Sequence, residues 1–257
     1  MLTKGDSRFY SRNNAGKYPL DVSEIRTAFA LSESLSDKIR RFREDRLAQI
    51  VADQTPVPLE QGPRVVLHVV PVSSFVAGVE VDLLIVGQHP DWVRLLHAGG
   101  WNRRHNFDGL VLFSADPPLV STSYLQLFRN GILEAVDTYI VRGNSDAVEL
   151  IPSAVLESAL IDGLRKYLDL LRKWEFGVPI FVLLGLLDVK GSIMAPPDLL
   201  QKFPIDRDAL ILPEIVADNL DLDTSVMLKS AIDSIWQASG WPSSPNYQHG
   251  KWIRQYG

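Results

Sequence analysis

Residues 106–142 read NFDGLVLFSADPPLVSTSYLQLFRNGILEAVDTYIVR. Asn130 and Gly131 separate the run Tyr124–Phe128 from Ile132–Val136. An Asn-Gly pair between two such runs is the strongest short-range hairpin signal, because the tight turn that suits strand twist needs positive φ at both central residues. The earlier run Leu110–Phe113 can pair alongside. This predicts a three-stranded antiparallel meander, with helices before and after it available to cover one face. The fold class is therefore α+β (mixed), centred on 106–142, with a small hairpin–helix–helix unit ahead of it.

Downstream, Leu156, Leu160, Leu164, Leu168 and Leu171 keep helical spacing. Pro152 suits the first turn of that helix, and Gly177 with Pro179 stops it near Trp174. Val178–Val189 reads as a buried strand with Gly185 as a candidate bulge. Leu210–Val216 reads as an edge strand because Pro213 cannot donate to a ladder. Thr224 is the expected cap of a last helix that buries Met227, Ala231, Ile232 and Ile235. The aromatic tail from Gly240 is expected to pack as a strap.

Upstream, Arg64–Val72 is a β-branched run suited to a central strand ending at Pro71. Residues 53–63, DQTPVPLEQGP, form the expected linker. The segment 73–105 is read only as an apolar run, Val79–Val86, followed by a short helical stretch over Trp92–Ala98. The first segment is expected to form two short strands around Asn13–Gly16, a helix from about Val22 and a second from Ser36 to about Ala52. In that second helix Ile39, Phe42, Leu47 and Ile50 point inward. Its basic residues, Lys38, Arg40, Arg41, Arg43 and Arg46, spread round the axis rather than forming a stripe. Arg43 and Arg46 fall on the apolar side, where a carboxylate elsewhere in the fold is the expected partner.

The 257 residues carry a formal net charge of −5, unevenly spread. Residues 1–50 hold ten Lys/Arg against seven Asp/Glu, leaving 16 basic and 24 acidic residues beyond them. A polyanion is therefore expected to meet the N-terminal fifth. No window has the roughly 18 apolar residues of a membrane span, and no apolar signal core opens the chain, so a cytoplasmic location and no membrane partner are expected. The absence of cysteine excludes disulfides, thiolate catalysis and cysteine-bound zinc.

Catalytic signatures are scarce. The sequence has no Gly-rich loop followed by Lys-Ser/Thr and no Gly-x-Ser-x-Gly elbow. His89, Asp91 and His97 do not have the spacing of a helical metal pair, so no metal and no cofactor are expected. His68, inside an apolar strand, reads as a hydrogen-bonded core residue. Asp108, Glu134 and Asp137 lie on or beside strands, and the sequence alone does not pair them in space. The one distinctive polar cluster is GGWNRRHNFD, 99–108. An arginine beside a stacking ring can hold phosphate and an unstacked base together, and the same residues can dock a loop on an acidic surface.

The segment RFYSRNNAGKYPLDVSEIRTAF resembles the closing hairpin and helix of the bacterial Schlafen-type, AlbA-like DNA-binding domain. The matching positions are Arg12, Gly16, Lys17, Asp21, Glu24 and Arg26. The stretches SDKIRRFREDRLAQI, RVVLHVVPVSSF, NFDG and LFRNG look like the C-terminal region that accompanies this domain. Proteins of this kind carry helix-turn-helix, ATP-binding or DNA-binding labels. The family's acidic active-site strand has no counterpart here, so the resemblance implies that the chain keeps only the tail of the AlbA-like domain. Residues 1–55 would be that remnant and residues 63–257 a C-terminal α/β domain.

These readings converge on a nucleic-acid-binding protein without a catalytic site of its own, its C-terminal domain serving assembly or regulation. Arg8, Arg12 and Lys17, then Arg103 and Arg104, are the expected phosphate contacts, with weak binding of DNA or RNA. The alternative is an interaction module whose N-terminal hairpin completes a sheet with a partner subunit or a second copy. A third reading is a nucleotide-dependent enzyme with its site at 86–108 and the meander.

Overall fold

The computed structural model describes residues 10–13, 16–19, 22–89, 92–97, 100–114, 120–142, 150–195 and 203–253. Two compact units divide the chain at 45/46. The first holds a hairpin of β1 (Tyr10–Asn13) and β2 (Gly16–Pro19), then most of helix α1 (Val22–Val51). The two helices expected here are one continuous helix. Its serines at 32, 34 and 36 resemble caps, but no Gly or Pro interrupts 22–51. Ser in a helix interior costs only tenths of a kcal/mol, about 0.5 relative to Ala.

The second unit is built on an antiparallel sheet. Its strands are β3 (Arg64–Pro71), β4 (Asn102–His105), β5 (Gly109–Phe113), β6 (Ser123–Phe128) and β7 (Leu133–Asp137). After β8 (Leu150–Pro152) come α3 (Ser153–Lys173) and β9 (Ile180–Leu187); the short helix α2 (Leu83–Gln88) lies earlier, between β3 and β4. β10 (Ile193–Ala195) pairs β8 in parallel, while β11 (Ala209–Ile211) and β12 (Ile215–Ala217) both pair β9. Helix α4 (Thr224–Ala238) and the small pair β13 (Tyr247–Gln248) and β14 (Lys251–Trp252) follow. The main sheet runs β11–β9–β3–β7–β6–β5–β4, with β12 also on β9.

The expected meander is β5–β6–β7, and Arg64–Pro71 is central between β9 and β7. The β6–β7 turn differs from the two-residue form. Gly131 N donates to Phe128 O at 3.0 Å and Phe128 N to Ile132 O at 2.9 Å, enclosing three residues, with positive φ only at Gly131 (+86°). A turn followed by one left-handed residue is the other common short hairpin.

Strand alternation divides the core. Val65, Leu67, Leu125, Leu127, Leu133, Leu184 and their neighbours face α3 and α4. Val66, Val111, Phe113, Tyr124 and Val136 face the opposite way, under Ile50 and the segment holding Val57 and Leu59. The proline-rich stretch thus packs on the sheet, with Leu59 bridging Ser121.

Several local expectations are corrected. Gly185 keeps regular register opposite Val66, so it is not a bulge. Pro213 divides its segment into β11 and β12, both pairing only β9 among the described strands. α4 is capped by Asp223, whose Oδ1 accepts from Ser225 N at 2.8 Å, while Thr224 Oγ1 donates to Ile161 O instead. Residues 93–97 form no helix, and polar β4 is a strand that its composition did not advertise. The tail packs as a strap but also forms an element of its own, the β13–β14 pair, and it is anchored by a buried carboxylate. Glu157 of α3 accepts from Trp236 Nε1 (2.7 Å), Ser244 Oγ (2.8 Å) and Trp252 Nε1 (2.8 Å). No described helix is long and apolar enough to cross a membrane.

Candidate nucleic-acid interface

β4 is the end strand of the main sheet, and its residues Arg103, Arg104 and His105 are all exposed. The turn that follows is rigidly built. Asn106 and Gly109 exchange backbone hydrogen bonds at 3.0 and 3.3 Å, and Asn106 Oδ1 also accepts from Gly109 N at 2.8 Å. A Cβ on Gly109 would stand 2.1 Å from Leu127 O, so only glycine lets the hairpin lie this close to β6. At the tip, Phe107 is 93% exposed, the most exposed large apolar side chain described. Arg129, from the adjoining β6–β7 turn, donates through Nε to Phe107 O at 3.0 Å and through its backbone N to Asp108 O.

The expected arginine pair is split by the pleat. Arg104 pairs Val111 and so takes the α1-side face, where Nη2 donates to Pro56 O at 2.6 Å and the guanidinium lies 5.9 Å from the Phe113 ring. Arg104 therefore docks the proline-rich segment. Arg103 and His105 pair Leu112 and Leu110, which places them on the face shared with α3. On that side the Arg94 guanidinium lies 5.8 Å over the Trp101 ring, and Tyr167 of α3 donates to Arg94 O at 3.0 Å. Burial and the nearby Arg94 and Arg165 charges lower the Lys166 pKa, as expected where cations crowd together. Arg165 itself pairs with Asp162. Arg94, Arg165 and Lys166 are residues the sequence reading missed, because a loop and a helix far apart in sequence bring them together.

In the first unit, Arg12 and Lys17 are direct cross-strand partners. Arg8 lies outside the described residues.

The sheet's other polar concentration is buried. Glu134 on β7, fully buried, receives Arg46 Nε and Nη2 on its two oxygens, each at 2.7 Å. His68 Nε2 donates to Oε2 at 3.0 Å and the Tyr124 hydroxyl to Oε1 at 2.8 Å. Burial alone would raise the Glu134 pKa, but the hydrogen bonds and charges of Arg46 and His68 bring it down to about 2. Tyr124 is pushed well above its usual value, first by burial and then by the Glu134 charge. Arg46 also lies 5.3 Å from the Phe128 ring, and it meets the expectation of a distant carboxylate partner. The buried carboxylate accepts four hydrogen bonds, an arrangement that fastens residues 46–51, the end of α1 within the second unit, to the sheet.

The three carboxylates noted in the sequence do not converge. Asp108 is exposed in a turn, Glu134 faces α1, and Asp137 faces α3. Asp137 Oδ1 accepts from Tyr139 N and Ile140 N at 2.8 and 2.9 Å, and burial lifts its pKa to about 6. His89 stacks on Trp92, and His97 on Tyr139. Among the described residues no group of three His, Asp or Glu side chains could hold a metal ion. An open cleft of about 260 Å³ is lined by Glu80, Ile85, Trp92, Lys173 and Phe176 among others, and one of about 270 Å³ by residues of α3 and of the loop 220–223 that leads into α4. Neither includes Arg103, Arg104 or His105.

Comparison with protein-family models, with curated proteins and with solved structures found no match to this chain.

Proposed function

We propose that this chain is a nucleic-acid-binding protein without a catalytic site of its own. The observation that carries this is the exposed basic face of β4, where Arg103 and His105 stand beside the Arg94–Trp101 pair within an otherwise acidic body. Cations placed along an exposed edge can neutralise a phosphate backbone and release its counterions, and their contribution is sequence-independent. The cross-strand partners Arg12 and Lys17 add a second basic element within the first unit. The Schlafen-type resemblance of residues 8–29 points the same way. The carboxylate of Glu134 is taken up by its contacts with Arg46, His68 and Tyr124.

Fluorescence-anisotropy titration of short DNA and RNA oligonucleotides tests the proposal. Charge reversal at Arg103, and separately at Arg12 with Lys17, should weaken salt-sensitive binding. Reversal at Arg104 should chiefly loosen the segment around Pro56. Binding that ignores all these reversals would overturn the proposal.

A second reading rests on the β1–β2 hairpin, which pairs with no other described strand and whose edges suit strand addition by a partner or a second copy. Light scattering separates the readings: a stable dimer lost on removing residues 1–18, without nucleic-acid binding, would favour the assembly role.

A further inference from the structure

The β4 edge alternates in chemistry as well as in direction. Arg103 and His105 share the α3-side face, Trp101 precedes them two residues earlier, and Phe107 follows two residues later at the tip. Same-face positions along β4 recur about 6.6 Å apart, a step that the backbone of an extended single strand can follow. The two rings have different environments. Trp101 is half-buried, packs against the main core and carries Arg94 over its ring, so it anchors a cation. Phe107 stands almost wholly in solvent, although apolar surface is stabilised by burial. The Asn106–Gly109 turn and the Arg129 hydrogen bond hold the backbone of this hairpin tip in place beneath the ring.

We propose, resting on the nucleic-acid reading above, that this face binds single-stranded nucleic acid, with an unpaired base stacked on Phe107 and phosphates farther along the same strand held by Arg103 and Arg94. Stacking needs a base whose face is free, which a duplex does not offer. The guanidinium groups and His105 supply backbone contacts, and nothing in the row reads a base edge, so the preference is for strandedness over sequence. An acidic polypeptide could meet the same charges but would make little use of an exposed ring.

The test uses the full chain with a labelled oligo-dT strand, the same strand annealed to oligo-dA, and poly-Glu as competitor. The single strand should bind more tightly than the duplex. Phe107→Ala should weaken single-strand binding at least about fivefold, the lower end of what one base–aromatic stack contributes. Phe107→Trp should preserve it, and Phe107→Leu should behave like the alanine variant. Because the side chain is solvent-exposed, all three should fold as the parent does, which circular dichroism checks. If Phe107→Ala leaves affinity unchanged while Arg103→Glu lowers it, the stacking proposal fails and the basic-edge reading stands. Equal affinity for strand and duplex also overturns the stacking proposal. Poly-Glu displacing oligo-dT on equal terms would assign the face to acidic polypeptides. No binding to either DNA probe at low salt would remove the nucleic-acid reading itself.

Discussion

Replacing Arg46 with alanine should destabilise the second unit by about 3–5 kcal/mol at neutral pH. The magnitude follows from what remains. Glu134 is fully buried and would lose both guanidinium hydrogen bonds, keeping only His68 and Tyr124 as partners. Removing one member of a buried ion pair leaves an uncompensated charge and typically costs this much, a large part of the roughly 5–15 kcal/mol that holds a domain folded. The pH dependence makes the argument specific. In the parent protein Glu134 has its pKa lowered to about 2 from 4.5, so it contributes stability above pH 4.5 that is lost as pH falls through about 2. That difference corresponds to about 3 kcal/mol. Without Arg46 the carboxyl should titrate much higher, and protonation then relieves the cost. The penalty of Arg46→Ala should therefore shrink as pH is lowered from 7 to 4. Urea unfolding followed by tryptophan fluorescence measures it at each pH. A penalty below about 1 kcal/mol at pH 7, or one independent of pH, would refute the account of a sealed, charge-paired anchor.

Other consequences are equally open to test. Glu157→Ala should free the strap and leave one buried and one half-buried indole N–H without their acceptor, costing about 3 kcal/mol in thermal or chemical denaturation, with Glu157→Gln milder. Gly131→Ala should cost more than about 1 kcal/mol, because the position has φ of +86° and a Cβ would meet the Phe176 ring at 2.2 Å. Asp137 has the opposite linkage to Glu134: its raised pKa means the folded state binds the proton more tightly, so stability falls as pH rises from 3.8 through about 6. In Asp137→Asn that fall should be absent, as paired pH–stability curves would show.

The legible parts of the fold were those with local periodicity. The meander, the β3 strand and the leucine-spaced helix α3 all follow from patterns within about 20 residues. β4 was not legible, since Asn-Arg-Arg-His has neither alternation nor β-branching; it is a strand because β5 offers it an edge. The split of Arg103 from Arg104 depended on that assignment, because only a strand sends adjacent side chains to opposite faces. The Arg46–Glu134 pair spans 88 residues, so the sequence could show that an arginine on an apolar face needed a carboxylate but could not say which. The clustering of Arg94, Arg165 and Lys166 arises from tertiary packing and left no sequence signal. Phe107 was visible within the polar cluster at 99–108, but its isolation in solvent follows only from the turn that presents it.

The most direct test of the nucleic-acid account is the salt dependence of oligo-dT affinity for the parent chain and for Arg103→Glu. Each phosphate neutralised by a protein cation contributes about −0.7 to the slope of log K against log salt for a single strand. The account predicts a negative slope for the parent protein and a slope shallower by about 0.7 or more in the variant, with the fold unchanged. Identical slopes, or no binding at low salt, would contradict it.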